Sequence, residues 1–149
     1  MKTTVTLHNI SLEAAAEIAR QSLAHGRSLN MAPLAVAVLD LRGTLKAFLA
    51  EDGTSLLRLN VAFGKAWGAL GMGFGGRELA ARNAKVPGFV NALQAMSDGK
   101  MVPVPGGVLI RDANGQLLGA VGISGETSDN DELCAMHGVK SVGLVPDVN

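Results

Sequence analysis

Hydrophobic and polar residues alternate in the first stretch of the chain and then recur with a helical period. In residues 3–8 (TTVTLH), Val5 and Leu7 alternate with polar side chains, which predicts a short strand with one wet face. From Leu12 onwards, leucine and alanine recur every three or four positions as far as Gly26, which is the expected end of a helix. The chain should therefore begin with a strand followed by a helix.

Two further stretches have the pattern of a β-hairpin. Residues 33–40 are apolar at nearly every position, which predicts a buried strand, and a turn containing Asp40 and Gly43 leads into a second strand. The same order returns around Asp112 and Gly115, with a predicted strand on either side. In both turns the aspartate should accept hydrogen bonds from nearby backbone N–H groups, and the glycine should take a positive φ angle.

The remaining segments are predicted to be helical. The helical pattern resumes at Thr54, breaks in the glycine-rich run 71–76, and continues as two short helices interrupted at Pro87. A last helix is expected to be capped by Ser128 or Asp129.

The resulting order of elements is β-α-ββ-α-α-ββ-α, in one domain that comprises residues 1–149. Two hairpins and an N-terminal strand predict an α/β fold of the α+β type. About five antiparallel strands would form one sheet, with helices on both faces.

Composition narrows the class of protein. Hydrophobic residues make up 48% of the chain and charged residues 17%, as in a compact globular domain. The 13 basic and 13 acidic residues cancel, and few aromatic side chains are available to stack on bases, so nucleic acid is not an expected partner. The longest apolar run, residues 33–39, is too short to span a bilayer, and the N-terminal residues show no signal core, so no membrane partner is expected. Because Cys134 is the single cysteine, no internal disulfide can form, which favours a cytoplasmic location.

Three short motifs resemble known functional sites, but each lacks a feature that such a site needs. Residues 71–76 satisfy G-x-G-x-x-G, but a helix rather than a strand precedes them, so we do not expect a nucleotide there. The Ser124-Gly125 pair is one residue short of a nucleophile elbow, so Ser124 should line the mouth of a cleft rather than attack a substrate. Cys134 and His137 share a helical face, but a structural zinc ion would need two more ligands.

One histidine and two cations are candidates for ligand binding. His25, near the end of the first predicted helix, either complements the helix dipole or binds haem iron as an axial ligand. Lys65 lies in a rather apolar helical stretch, so its ammonium group either reaches solvent or points into a pocket. Arg77 follows the glycine run at a helix start, where the helix dipole disfavours a cation and an anion-facing role is possible.

Gly106 and Gly107 precede a predicted strand. Two glycines there permit unusual φ angles and the close approach of another chain segment or a ligand. Together with Ser124, Gly125 and the following helix start, they are expected to frame a small-ligand pocket.

Three stretches carry a family resemblance: AVAVLDLRGTLKAF (35–48), GKAWGAL (64–70) and, above all, residues 102–138, which contain PGGV, GAVGISG and a later aspartate. In these stretches the chain resembles the GlcG/HbpS-like family, which also forms the C-terminal domain of PduO-type proteins. The resemblance extends over nearly the whole chain. It implies a profilin-like fold with a five-stranded antiparallel sheet, association into a homo-oligomer and, as in several members, haem binding.

The leading hypothesis from this resemblance is a haem- or tetrapyrrole-binding protein. In it, His25 would be the axial ligand, and Lys65 or Arg77 would pair with the propionates. The glycine-lined cleft would hold the small-molecule ligand.

Two alternatives belong to other functional classes. The first is an enzyme acting on a small carboxylated or aromatic metabolite, with Lys65, Ser124, Asp131 and His137 as candidate acid–base or positioning groups. The second is a non-catalytic accessory or assembly subunit, since a neutral and rather apolar chain is suited to association.

Overall fold

The computed structural model describes all 149 residues. The chain forms five helices and five strands, which follow one another as α1 Leu12–Ser28, β1 Ala35–Asp40, β2 Leu45–Ala50, α2 Arg58–Met72, α3 Gly76–Lys85, α4 Pro87–Met96, β3 Gly107–Arg111, β4 Leu117–Ser124, α5 Ser128–Ser141 and β5 Val145–Asp147.

The strands form a single sheet in the order β2-β1-β4-β3-β5, and every pairing is antiparallel. Helices α1 and α5 pack together on one face, and α2 covers the other. The five-stranded antiparallel sheet with helices on both faces is therefore confirmed. The break at the proline is also confirmed, because α3 ends at Lys85 and Pro87 begins α4.

The alternation of side chains along the central strands divides the core into two layers. Val36 and Val38 of β1 belong to the cluster that packs against α1 and α5. Leu39 of β1 belongs to the smaller cluster beneath α2, together with Ala66 of that helix. Since β1 is buried at all six positions, its nearly continuous apolar sequence reflects contact on both faces.

The hairpin turns have the predicted chemistry. Asp40 Oδ1 accepts hydrogen bonds from the backbone N–H groups two and four residues later, and Asp112 Oδ1 does the same in the second hairpin. Gly43 and Gly115 take φ angles of 76° and 81°. These local interactions set both hairpins that build the centre of the sheet.

The predicted N-terminal strand is wrong. Residues 3–8 form no strand. The fifth strand of the sheet is β5, which lies near the C-terminus and pairs with β3. Val5 and Leu7 remain 80% and 75% exposed, because the segment has no strand beside it in its own chain. Strand β5 was missed because it is three residues long and contains Pro146.

Three helix boundaries also differ from prediction. Helix α1 continues past Gly26 to Ser28, because Gly26 is buried against Leu34 instead of forming the stop. Helix α2 begins four residues after Thr54, at Arg58. Helix α5 is capped by Thr127, whose side chain accepts the Asn130 N–H, and not by Ser128 or Asp129.

Candidate functional site

Helix α2 rests directly on the backbone of β3 and β4. A β-carbon built on Gly107 would overlap the carbonyl oxygen of Lys65, and one built on Gly122 would overlap that of Ala62. The predicted close approach at Gly107 is therefore made by α2 of the same chain. Because these glycines let α2 lie close to the strands, they also fix the position of Lys65, whose side chain extends beyond the end of the sheet.

Lys65 and Asp131 form a buried ion pair at this end of the sheet. Lys65 Nζ donates to Asp131 Oδ2 at 2.8 Å, and the two side chains are 3% and 1% exposed. Gly106, at a φ of 112°, lies beside the pair, and a β-carbon there would lie 2.9 Å from Lys65 Nζ. Lys65 therefore points inward and not to solvent, but Asp131 binds its ammonium group and it lines none of the cavities, so a ligand contact of Lys65 stays a prediction.

The carboxyl group of Asp131 is held by more than Lys65. Its Oδ1 accepts the backbone N–H of Glu126, just before α5. Burial raises the pKa of Asp131 above its usual range, while the Lys65 ammonium and the Glu126 N–H oppose that rise. The group is consequently a desolvated carboxyl held by a cation, an arrangement that suits proton transfer or ligand positioning.

Arg58 completes this cluster and was missed from the sequence. Its Nη1 donates to Ser124 Oγ at 3.0 Å, and Ser124 is only 1% exposed. Arg58 forms no ion pair with any carboxylate. Arg58 and Ser124 are 66 positions apart, so no local pattern joins them. The sequence places the start of this helix at Thr54, so it gave no signal that Arg58 lies in the first turn, where the helix dipole disfavours a cation.

Arg77 is engaged in a different contact. From the first turn of α3, its guanidinium hydrogen bonds to Asp129 and Glu132 of α5. These two carboxylates raise the pKa of Arg77 above its ordinary value. The second oxygen of Glu132, Oε2, is buried and has no hydrogen-bond partner. Arg77 thus joins α3 to α5 within the fold.

His25 and His137 stack on each other on the α1–α5 layer. Their ring centroids are 4.0 Å apart and the rings are inclined by 6°. Burial and the neighbouring His137 lower the pKa of His25 below its ordinary value of 6.5. His25 is partly buried and His137 is exposed, so solvent reaches the pair.

Cys134 does not share a site with His137. Its thiol is buried and lies 3.5 Å from the sulfur of Met31. Burial raises the pKa of this thiol to about 11. No group of three or more His, Cys, Asp or Glu side chains is arranged to hold a metal ion.

The structure brings together one part of the predicted site and leaves another part separate. Lys65 and Asp131 meet beside Gly106, and Ser124 is linked to them through Arg58, whose charge acts on Asp131. The two stacked histidines form a separate pair on α1 and α5. The largest cavity, about 390 Å³, is lined by Asn60, Val61, Phe63, Asp98, Gly99, Lys100 and Val102. None of the four cavities of the single chain is lined by the predicted site residues, so the pocket they would frame remains a prediction. None of the helices combines the length and apolar character needed to cross a membrane.

Comparison with solved structures gives similar proteins of known fold. A complex of PduOC with haem superimposes with a TM-score of 0.81 at 25% identity, covering 91% of this chain and 96% of that one. The ORFY protein of Klebsiella pneumoniae gives a TM-score of 0.85 at 25% identity, covering 96% and 97%. HbpS gives 0.80 at 25% identity, covering 95% of each chain. Among curated proteins, none matches this chain significantly.

A family model described as "Haem degrading protein HbpS-like" matches residues 10–140. The match includes both hairpins, the glycines under α2 and the Lys65–Asp131 pair. This chain therefore belongs to the HbpS-like family.

Proposed function

We propose that this protein binds haem or a related tetrapyrrole, with His25 as the axial ligand of the iron. Membership of the HbpS-like family and the similarity to PduOC, which was solved with haem, support this ligand class. Bound haem would supply an iron centre with redox or ligand-binding chemistry. The single cysteine, buried and unpaired, suits the reducing cytoplasm in which we propose the protein acts.

The observation that carries the proposal is the stacked pair of His25 and His137. Haem iron binds a neutral imidazole, and the lowered pKa of His25 keeps its ring neutral at physiological pH. Partial burial restricts the motion of the ring, and the exposed His137 beside it leaves the surface open to a flat ligand.

The propionates would need cations that are not already paired. Lys65 is buried against Asp131, and Arg77 is bound to two carboxylates, so using either would require breaking these contacts. Lys140 lies one turn after His137 on α5, is exposed, and forms no ion pair. We therefore propose Lys140 as a propionate partner beside His25.

A haemin titration followed by absorption spectroscopy tests this function. The wild type should give a saturable one-to-one Soret shift, and His25→Ala should lose it. His8→Ala is the matched control, since His8 is exposed and outside every helix and strand, and it should titrate as the wild type does. No saturable shift in the wild type, or equal loss in His8→Ala, would count against the proposal.

A second candidate function is an enzyme acting on a small carboxylated metabolite. It is favoured by Arg58, a cation without a carboxylate partner that donates to the buried Ser124 next to the Lys65–Asp131 pair. Arg58 would bind the substrate carboxylate, and Asp131 or Ser124 would position or transfer a proton.

Native mass spectrometry of freshly purified protein tests this candidate. A retained carboxylated metabolite should be present in the wild type and depleted in Arg58→Gln. Arg82→Gln is the control, because Arg82 pairs with Glu78 within α3. An equal amount of the metabolite in all three samples, or none in the wild type, would argue against the anion-binding role of Arg58.

A further inference from the structure

Two cavities lie along one side of helix α2. Residues spaced three and four positions apart on this helix line them: Asn60, Phe63, Trp67 and Gly71. Asn60 and Phe63 belong to the cavity of about 390 Å³, and Trp67 and Gly71 belong to a second cavity of about 190 Å³. The two cavities therefore follow each other along one groove.

The segment formed by residues 100–102 borders both cavities and is fixed against α2. Lys100 and Val102 line the larger cavity, and Met101 lines the smaller one. The Val102 N–H donates to the Gly64 carbonyl at 3.2 Å, and a β-carbon on Gly64 would overlap the carbonyl oxygen of Lys100. Because the segment lies directly on the helix backbone, this side of the groove is rigid.

The smaller cavity has the composition of a site for a flat apolar group. Its walls include Trp67, Leu93 and three methionines, Met72, Met96 and Met101. Methionine sulfur favours contact with the edge of an aromatic ring, and the indole of tryptophan favours stacked or edge-to-face contact with another ring. An apolar cavity of about 150 Å³ accepts benzene. The volume of about 190 Å³ therefore accommodates one six-membered ring.

A cation lies at the edge of this apolar site. Lys100 Nζ is 5.6 Å from the ring centroid of Trp67. The only ion pair of Lys100 is with Asp98, at 3.9 Å, and the Asp98 side chain is 88% exposed. Such a pair contributes little to stability. The carboxylate of a ligand packed on Trp67 is within reach of Lys100 and would take the place of Asp98.

Helix α4 forms the outer wall of the smaller cavity and is weakly attached. It supplies Leu93 and Met96, it packs against α3 alone among the helices and strands, and Val90 is its one fully buried residue. Gln94 Nε2 donates to the Met101 carbonyl, but Gln94 Oε1 is buried without a hydrogen-bond partner, which disfavours the docking of α4. An outward movement of α4 is therefore the expected route of entry for a ligand.

We propose that this groove binds a small aromatic carboxylic acid with a single ring. The ring packs on Trp67 among the methionine side chains, and the carboxylate pairs with Lys100. The groove shares no residue with the Arg58–Ser124 contact or with the stacked histidines. Binding here is therefore independent of haem.

Titration with sodium benzoate tests this site, followed by tryptophan fluorescence and by NMR of the methionine methyl groups. Trp67 is the single tryptophan and the chain has no tyrosine, so the emission reports on this cavity. Benzoate should change the emission saturably and should shift the methyl signals of the three cavity methionines. Met31 and Met136 pack in the α1–α5 layer, and their signals should not move.

A charge variant tests the contact with the carboxylate. Lys100→Gln should weaken benzoate binding about two- to fivefold, the range expected for one exposed ion pair, and should leave the binding of uncharged benzyl alcohol unchanged. Lys85→Gln is the matched control, because Lys85 is exposed at the end of α3 and lines no cavity. It should bind benzoate as the wild type does.

A second variant fills the cavity. Gly71→Leu should block both benzoate and benzyl alcohol, because a helical side chain at this position points back towards Trp67. A β-carbon on Gly71 meets Trp67 at 3.6 Å, which is an ordinary contact, so the fold should be retained.

Three results would overturn the proposal. The first is the absence of a saturable change in the emission and in the signals of the cavity methionines, or shifts confined to Met31 and Met136. The second is an unchanged benzoate affinity in Lys100→Gln, or equal loss in Lys85→Gln, either of which contradicts the pairing of the carboxylate with Lys100. The third is undiminished binding in folded Gly71→Leu, which would place the ligand outside the cavity.

Discussion

Lys65 and Asp131 meet at 2.8 Å although their helices cover opposite faces of the sheet. The contact is possible because it is made just beyond the strands, beside Gly106, where no β-carbon occupies the space. Both side chains are desolvated, so each charge depends on the other for its stabilisation. The pair is thus a structural link between α2 and α5 as well as a candidate chemical group.

Replacing Lys65 by Met should be strongly destabilising. Removing one partner leaves Asp131 as an uncompensated buried carboxyl, which costs about 3–5 kcal/mol in the free energy of unfolding. Urea unfolding followed by circular dichroism measures the change.

Two further variants complete this test. Arg82→Met breaks the exposed Arg82–Glu78 pair and should cost less than about 1 kcal/mol. Adding Asp131→Leu to Lys65→Met should recover part of the lost stability, because the unpaired charge is removed. A double variant less stable than Lys65→Met alone would show that the loss does not come from the unpaired carboxyl.

Gly107→Ala should destabilise the fold through a backbone clash. Its methyl group would overlap the Lys65 carbonyl oxygen, so α2 would have to move away from the sheet, at a cost of about 3 kcal/mol. Gly88→Ala is the control, because a β-carbon there meets nothing within 4 Å and Gly88 lies in the first turn of α4. Thermal melting should give a lower Tm for the first variant and an unchanged or higher Tm for the second; equal melting temperatures would contradict the packing of α2.

His25 should make the protein less stable in mild acid. Its folded-state pKa is lowered by burial and by His137, so below pH 6.5 the unfolded chain binds more protons at this position than the folded chain. The stability that neutral His25 contributes to the folded state is fully present above pH 6.5 and is lost as the pH falls towards the pKa of His25 in the folded chain. The wild type should therefore have a lower urea midpoint at pH 5.5 than at pH 7.5. This difference should be smaller in His25→Gln, whereas His8→Gln should show the same difference as the wild type.

Cys134 should be unreactive in the folded protein. Its thiol is buried and burial raises its pKa to about 11, so little thiolate exists at pH 8. Iodoacetamide should leave the native chain unmodified and alkylate it once in 8 M urea. Rapid alkylation of the native chain would mean that the α1–α5 layer opens readily around Met31 and Cys134.

The parts of the fold that the sequence predicted are those governed by local chemistry. Asp40 and Asp112 each accept hydrogen bonds within four residues, and these contacts recur wherever an aspartate and a glycine flank such a turn. The N-terminal strand was predicted wrongly from an equally clear alternation. An alternating pattern shows that a segment is able to pair, but the presence of a partner strand depends on the whole fold.

The candidate site was predictable in its residue types and not in its contacts. Lys65, Ser124 and Asp131 were singled out for their neighbours along the chain, yet the Lys65–Asp131 and Arg58–Ser124 contacts each join positions 66 residues apart. His25 and His137 were considered separately, and only the packing of α1 against α5 shows that their rings stack.

The glycine contacts of α2 also determine which parts of the molecule can move. The carbonyl oxygens of Ala62 and Lys65 lie directly on Gly122 and Gly107, so at these two points no side chain separates the helix from the sheet. Sliding α2 along the strands would drive those oxygens against Leu109 or Ala120, which carry β-carbons on the same face. Helix α2 and the sheet should therefore behave as one rigid body, and any opening that admits a ligand has to come from the other helices.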